Sequence, residues 1–318
     1  MKQLALLPLF ALFVAPSAWA VIALNGPTDD WTALQLGGRS DFLEDEQAQS
    51  EGGDIVGSET DVQSGFYKQY FDGGDNTLSG DELAFRARLA GVPTSHIFVG
   101  IDIKGVGNPG AIDFFIDVSV DNNQSKHDVI AFYRSGSATD PLANTSPSST
   151  DIAHYDDYIA GDSTSPLFGD FASFDEVTTT NDSYYTTGAG AQGTNDIDGA
   201  GSPDYFVSFK IDMVALNTAF LGMFALDHPT DPTPADLTEN TEMSFILMTA
   251  TNPNALNQDF GGVEDDAFDY DPDGSWDELG ISSSPYTASG ESPVPEPATY
   301  ALLLGFSVLG VVAVRRRR

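Results

Sequence analysis

The sequence predicts an all-β protein: a single antiparallel β-sandwich, jelly-roll-like in its strand spacing, with long acidic loops. Three observations support this fold class. Short apolar runs alternate with the strand period, and the connections between them are rich in Gly, Asp and Asn. The chain also has no cysteine but 21 phenylalanines among its 318 residues. A hydrophobic core, and not disulfide bonds, therefore has to hold the domain together.

The predicted strands follow one another in the order expected of a sandwich. Residues 65–71 and 82–89 form a hairpin, because the segment between them reads Asp-Gly-Gly-Asp-Asn and favours a turn. In the second strand the apolar residues alternate with Arg86 and Arg88, which lie on the opposite face. Further strands are expected at 96–103, 112–120, 129–134, 205–211 and 242–249. Residues 213–220 fit either a short helix or another strand.

Three stretches are poor in core residues. Residues 45–61 are acidic and Gly-rich, and 135–201 are dominated by Ser, Thr, Asp and Gly. A loop as long as the second is uncommon in a compact domain, so we expect it to hold short strands or to cross one face of the sandwich. Residues 282–293 contain Ser and Pro and are expected to be a flexible spacer.

The N-terminus has the pattern of a secretory signal peptide. Lys2 precedes an apolar stretch, and Ala18 and Ala20 flank Trp19 in the small-x-small order that signal peptidase cleaves. We expect export by the Sec route and a mature chain that begins at Val21. A short membrane anchor is the alternative, but the apolar stretch is brief for one.

The C-terminus has the pattern of a second processing signal. Pro295, Glu296 and Pro297 precede residues 298–314, which are apolar and uncharged and about as long as the shortest membrane-spanning helix. The basic residues Arg315, Arg316, Arg317 and Arg318 follow, and such a tail stays on the cytoplasmic side. This arrangement resembles a PEP-CTERM sorting signal. The resemblance implies an exported protein of a Gram-negative bacterium, held transiently in the inner membrane until an exosortase, a membrane protease, cuts near the triplet.

These signals divide the chain into a signal peptide at 1–20, an ectodomain at 21–281, a spacer at 282–293 and a sorting signal at 294–318. Patches of the ectodomain, at 82–89, 113–115, 204–209 and 249–262, are similar to a recurring ectodomain of PEP-CTERM proteins that has no assigned activity. Within the last patch, Asn257, Gln258 and Asp259 are expected to cap a turn or orient a loop.

The mature protein is strongly acidic. Lys2 and the four C-terminal arginines account for five of the 13 basic residues, so eight remain against 48 acidic ones, a formal charge of −40 after processing. Such a chain repels nucleic acid and anionic lipid. Two explanations of the acidity stay open: adaptation to salty surroundings, where charge is screened, and binding of a cation such as calcium.

Two acidic clusters are candidate calcium loops. The segment 269–277 places Asp269, Asp271, Asp273, Ser275 and Asp277 at alternate positions with a glycine at the sixth, as in an EF-hand loop. Position 12, however, is a glycine instead of the bidentate glutamate. The second cluster consists of Asp196, Asp198 and Asp204. Solvated acidic turns are the alternative for both clusters, because Asp and Gly favour such corners anyway.

Motifs of enzymes are scarce, so we expect no catalytic activity and no certain cofactor. The four histidines lack a paired zinc-ligand spacing, and no Gly-x-Ser-x-Gly element is present. We expect a non-catalytic protein of the cell surface or of the exopolysaccharide or biofilm matrix. A carbohydrate-binding module that attaches to exopolysaccharide is the alternative, with aromatic candidates Tyr155, Tyr158, Tyr184, Tyr185, Phe268 and Trp276. A secreted hydrolase is the third class, and would need two converging carboxylates in a pocket.

Overall fold

A computed structural model describes a large part of the ectodomain. The described residues are 22–34, 51–57, 65–74, 77–94, 96–106, 112–119, 130–135, 147–154, 172–182, 195–197, 201–227, 230–250, 259–261 and 286–288. Within them the chain forms two antiparallel sheets and one α-helix. The predicted all-β class is therefore confirmed.

The first sheet has five strands in the order β1-β2-β3-β9-β8. These strands are β1 (Thr32–Ala33), β2 (Phe66–Phe71), β3 (Glu82–Leu89), β8 (Ala172–Glu176) and β9 (Tyr205–Asp212). The pairing of Tyr67 with Arg86 is part of the β2–β3 register and confirms the predicted hairpin. Gly74 and Gly80 in its connection have φ of 85° and 82°, the left-handed region that glycine adopts without strain.

The second sheet has seven strands, with the order β11-β10-β4-β5-β6-β7 and β12 paired to β10. Its members are β4 (His96–Ile103), β5 (Phe114–Ser119), β6 (Ile130–Ser135), β7 (Pro147–His154), β10 (Glu242–Ala250), β11 (Asp259–Phe260) and β12 (Tyr286–Thr287). The strands expected at 96–103, 112–120, 129–134 and 242–249 are all found here, with ends that differ by two residues at most.

One hydrophobic core joins the inward faces of both sheets. Phe85 of β3 lies at its centre, with its ring centroid 5.6 Å from that of Phe209 in the same sheet and 5.3 Å from that of Phe245 in β10. Edge-to-face aromatic pairs at such distances stabilise a core beyond the area they bury. The period-2 alternation of apolar residues in β3 therefore identified the core face correctly.

The helix α1 (Met213–Asp227) follows β9 without a connecting loop. Asp212 caps its start, because its Oδ1 accepts hydrogen bonds from the backbone N–H of Val214 at 2.8 Å and of Ala215 at 3.1 Å. Leu216, Phe220 and Met223 are buried at helical spacing against the shared core. Of the two predictions left open for 213–220, the helix is the one observed.

The outward face of the first sheet is also covered. Residues 22–31 lie over it, and Ile22, Leu24 and Trp31 form a second apolar cluster with Tyr67 and Phe206. Both arginines of β3 are buried beneath this cover, with exposed fractions of 0% and 1%. The alternation of charged residues in β3 therefore marks a second buried face and not a solvated one.

The three stretches that the sequence shows to be poor in core residues also contain parts of the fold. In the acidic segment 45–61, Ile55 and Val56 are buried, and the Ile55 N–H donates to Asp259 Oδ2 at 2.5 Å. Short strands β7 and β8 lie within 135–201, as expected for that long polar region. In the expected spacer 282–293, Tyr286 and Ala288 are buried and belong to the fold, which corrects the start of the spacer; 289–293 lie outside the described residues.

Candidate functional site

A buried ion-pair centre lies at the end of β3. Arg88 Nε donates to Asp204 Oδ2 at 2.7 Å, and its Nη2 donates to the same oxygen. Asp182 approaches the guanidinium at 3.5 Å, and the backbone N–H of Ile197 donates to Asp204 Oδ2 at 3.2 Å. Asp204, a candidate calcium ligand by sequence, is therefore the buried counter-ion of an arginine in this structure. Two carboxylates around one cation satisfy a charge that would be costly to bury alone.

Of the other candidate calcium ligands, the structure describes Asp196 alone. Asp196 Oδ2 accepts a hydrogen bond from the Gly201 N–H at 3.2 Å. Asp198 and the loop 269–277, with Asp269, Asp271, Asp273, Ser275 and Asp277, lie outside the described residues. Among the residues that the structure does describe, no group of three or more His, Cys, Asp or Glu side chains is placed to hold a metal ion. Calcium binding by the 269–277 loop stays a prediction.

Arg86 is enclosed by aromatic rings. Its guanidinium carbon lies 4.3 Å from the ring centroid of Trp31 and 4.9 Å from that of Phe206. The same group donates to the Leu24 carbonyl at 2.5 Å and to Ser208 Oγ at 2.9 Å. Burial lowers the pKa of Arg86 to about 10, which leaves it charged at neutral pH. This arrangement fastens the N-terminal cover to the sheet.

His96 and Asp117 form a pair on the outward face of the second sheet. The imidazole Nδ1 lies 2.9 Å from Asp117 Oδ2, and Asp117 is 1% exposed. Burial raises the pKa of Asp117 above its ordinary value, and the hydrogen bond from His96 opposes that shift in part. His96 is thus a strand residue with a carboxylate partner.

A polar cleft opens at one end of the fold. It has a volume of about 600 Å³ and lies between the β2–β3 turn, the start of α1 and the loop before β10. Its lining residues are Asp72, Thr77, Leu78, Asp81, Val214, Asn217, Asp236, Leu237, Thr238, Glu239 and Asn240. That volume falls within the range of small-molecule sites, which combine apolar walls with a few polar groups.

The walls of the cleft are held by their own hydrogen bonds. Tyr70 Oη donates to Asp81 Oδ2 at 2.5 Å and the Gly73 N–H donates to Asp81 Oδ1 at 2.7 Å, so Asp81 braces the turn. Burial and the bond to Asp81 raise the pKa of Tyr70, which stays a neutral donor. On the opposite wall, Asn217 Oδ1 accepts from the Leu237 N–H at 2.9 Å. Asp72 and Asp236 are exposed lining residues of the cleft.

Sequence reasoning could not find this cleft, because its walls come from three separate segments, and the β2–β3 turn lies more than a hundred residues before the other two. The turn between β2 and β3 was visible as turn chemistry, but the loop 230–241 carried no signal of its own. The aromatic candidates for carbohydrate binding, Tyr155, Tyr158, Tyr184, Tyr185, Phe268 and Trp276, lie outside the described residues. Of the Asn257, Gln258 and Asp259 group, Asp259 is described and orients the 51–57 segment through Ile55.

Both processing signals lie outside the described residues, including Ala18, Ala20, Pro295, Glu296, Pro297 and the arginines at 315–318. In the part of the chain that the structure describes, no helix is both long enough and apolar enough to cross a membrane, and α1 has 15 residues.

A comparison with protein-family models tests whether the C-terminus carries a sorting signal. Residues 293–318 match the model described as the PEP-CTERM protein-sorting motif. The chain carries a PEP-CTERM sorting motif. The match covers the Pro-Glu-Pro triplet, the apolar run and the basic tail, and it confirms the resemblance drawn from the sequence. No curated protein and no solved structure gives a match to the chain.

The PEP-CTERM motif implies processing by an exosortase, the membrane protease that acts on proteins with this signal. It implies export, a stage anchored in the membrane, and later delivery to the surface. The motif begins at residue 293, and the last described segment of the ectodomain ends at Ala288. Four residues of the sequence lie between the last described segment and the matched PEP-CTERM motif.

Proposed function

We propose that this chain is an exported, exosortase-processed protein of the cell surface or of the exopolysaccharide or biofilm matrix, and that it is not an enzyme. Signal peptidase removes residues 1–20 after Sec export, and the 298–314 helix anchors the protein transiently in the inner membrane. The ectodomain is a β-sandwich of jelly-roll type built from the two sheets. The PEP-CTERM motif at 293–318 is the observation that carries this proposal.

A structural role for the ectodomain has support in how its buried polar groups are used. Arg88 is neutralised by Asp204 and Asp182, Arg86 fastens the N-terminal cover, and Asp259 fixes the 51–57 segment. Groups bound in this way hold the fold together instead of being presented to a substrate. The high negative charge keeps the exported protein soluble.

The test of the sorting proposal is replacement of Pro295, Glu296 and Pro297 by alanine in the full chain, expressed in a host that contains an exosortase. We expect this variant to stay in the membrane fraction with its arginine tail, whereas the wild-type protein is released. The matched control replaces Ser282, Ser283 and Ser284 by alanine and should be released like wild type. Equal release of the two variants would contradict the proposal.

Carbohydrate binding is the second candidate function, and the cleft beside α1 is the observation that favours it. Carboxylate, amide and hydroxyl groups line it together with Leu78, Val214 and Leu237, a mixture suited to the hydroxyl-rich and apolar faces of a sugar. Exopolysaccharide purified from the host is the probe. The substitution Asp236→Ala, in the cleft lining, should weaken binding about tenfold, while Asp30→Ala, exposed and not part of the lining, should not. Identical binding curves for the two would exclude the cleft.

The remaining part of the proposal is that calcium binding stabilises the ectodomain. The 269–277 loop either holds the ion or forms a solvated acidic turn, and a chelation experiment given in the Discussion separates these alternatives.

A further inference from the structure

Lys68 lies on the core face of β2, where an apolar residue would be expected. It pairs with Phe85 in the β2–β3 register, and Phe66 and Tyr70 on either side point to the same face. Its exposed fraction is 2%. An ammonium group buried at such a position destabilises the fold unless hydrogen-bond acceptors surround it.

The acceptors come from the C-terminal end of the described ectodomain. Lys68 Nζ donates to the Thr287 carbonyl at 3.0 Å and to the Ala288 carbonyl at 3.2 Å, and it lies 5.7 Å from the ring centroid of Tyr286. Tyr286 and Thr287 form β12, which pairs with Met243 and Glu242 of β10. A side chain of the first sheet thereby binds the last strand of the second.

The residues around this contact are closed to solvent. Tyr286 is 8% exposed and Ala288 is fully buried, and both belong to the core shared by the two sheets. If the 286–288 strand left this position, Lys68 would lose two carbonyl acceptors while remaining next to Phe85. The buried charge therefore favours the docked strand, and we call the contact between Lys68 and residues 286–288 the C-terminal clamp.

The clamp ends seven residues before Pro295. Seven residues in a fully extended chain span at most about 25 Å, so a protease that acts near the triplet works close to the folded domain. Glu242, the partner of Thr287, forms an ion pair with Lys104 at this rim, with Nζ and Oε2 3.1 Å apart.

We propose that the C-terminal clamp is the end stop for proteolytic processing: it keeps residues up to Ala288 inside the ectodomain and leaves 289–297 as the segment on which the membrane protease acts. This inference rests on the proposed sorting function. Proteases need a locally open chain, and a strand that is paired on one side and bound through a buried lysine on the other opens rarely. The released protein then keeps its complete core.

Limited digestion of the purified full-length chain in detergent, with the broad-specificity protease proteinase K, tests the clamp. C-terminal ends are identified by mass spectrometry. The wild-type protein should be cut within 289–297 and preserve 286–288. The variant Lys68→Met should be cut within 282–288 at least about tenfold faster. The control Lys104→Met removes an exposed lysine from the same rim and should behave like wild type.

A second variant keeps the assay decisive if Lys68→Met does not fold. Ala288→Trp leaves Lys68 in place but does not fit the fully buried position, so it should also expose 282–288. Two results would overturn the clamp. In the first, the wild-type protein is cut before Tyr286 while β3 stays protected from hydrogen exchange. In the second, the wild-type protein and a folded variant are cut within 282–288 at equal rates. No exosortase is present in this digestion assay, so a negative result contradicts the clamp and not the sorting proposal. Absence of release in the cell experiment contradicts the sorting proposal and not the clamp.

Discussion

Arg88 and Asp204 form a fully buried ion pair that joins β3 to the residue preceding β9, with exposed fractions of 1% and 0%. Asp182 completes the site from the segment after β8. Three segments far apart in sequence thus meet at one guanidinium. Removing one member leaves an uncompensated charge in the interior, which gives this site a large and measurable effect on stability.

The substitution Arg88→Met should lower the free energy of unfolding by about 3–5 kcal/mol, because Asp204 is left buried without its cation. Urea denaturation followed by circular dichroism measures this change. The control Lys104→Met breaks an exposed pair with Glu242 and should cost about 0–1 kcal/mol. Comparable losses for the two variants would show that the Arg88 site is not buried as described.

The contact between Phe85 and Phe245 predicts coupling between the two sheets. Each change to alanine should lower the free energy of unfolding by about 3–5 kcal/mol through a cavity in the core. In a double-mutant cycle the two residues should show a coupling energy of about 0.5–1.5 kcal/mol, as expected for rings 5.3 Å apart. Strict additivity would mean that the two sheets do not pack through this pair.

Stability should depend on pH through Asp117, because burial raises the pKa of this carboxyl above the ordinary 3.8. Between the ordinary and the raised pKa the folded state binds a proton that the unfolded state does not, so the free energy of unfolding falls as the pH rises through this window. Asp117→Asn removes the titration and keeps an oxygen as acceptor for His96.

Asp117→Asn should therefore become more stable relative to wild type as the pH rises from about 4 to 7, by about 1.4 kcal/mol per pKa unit of the shift. Urea denaturation at several pH values measures the difference. The exposed Asp72→Asn is the control for loss of one negative charge. A pH-independent difference, or one that changes in the opposite direction, would contradict the burial of an ionisable Asp117.

Calcium should raise the thermal stability of the released protein if the 269–277 loop binds it. Binding to the native state alone adds about 2.7 kcal/mol at a ligand concentration of 100 Kd. Melting curves are compared in millimolar calcium, in excess chelator, and in magnesium at equal ionic strength. The double change Asp271→Asn and Asp273→Asn should abolish the shift, and Asp29→Asn with Asp30→Asn should not. An unchanged melting temperature would identify these clusters as acidic turns.

The sequence predicted β3 and β4 well because their apolar residues alternate with period 2, a purely local pattern, whereas β7, of the same length, was expected only as a strand somewhere within 135–201. Glu82–Leu89 and His96–Ile103 were found with their observed ends. The two-residue strands β1, β11 and β12 were not predicted, since two residues carry no periodicity. Their positions depend on partners elsewhere in the chain, such as Met243 for β12.

The burial of three charged residues could not be predicted from the sequence, for a physical reason. Arg86, Arg88 and Lys68 look like surface positions because isolated charges are seldom buried, yet each is enclosed by acceptors contributed from distant segments. Asp204 resembled a calcium ligand because it follows an Asp-Gly-rich turn, and its arginine partner lies 116 residues away. The processing signals were readable because proteases and membranes recognise short contiguous stretches.

The C-terminus of the protein that cells release is the most direct test of the account as a whole. Intact mass and C-terminal peptides are compared between a host with its exosortase and the same host without it. The account predicts a released protein that begins at Val21 and ends within 289–297, formed only when the exosortase is present. A released protein that still contains Arg318, or one that ends before Tyr286, would contradict it.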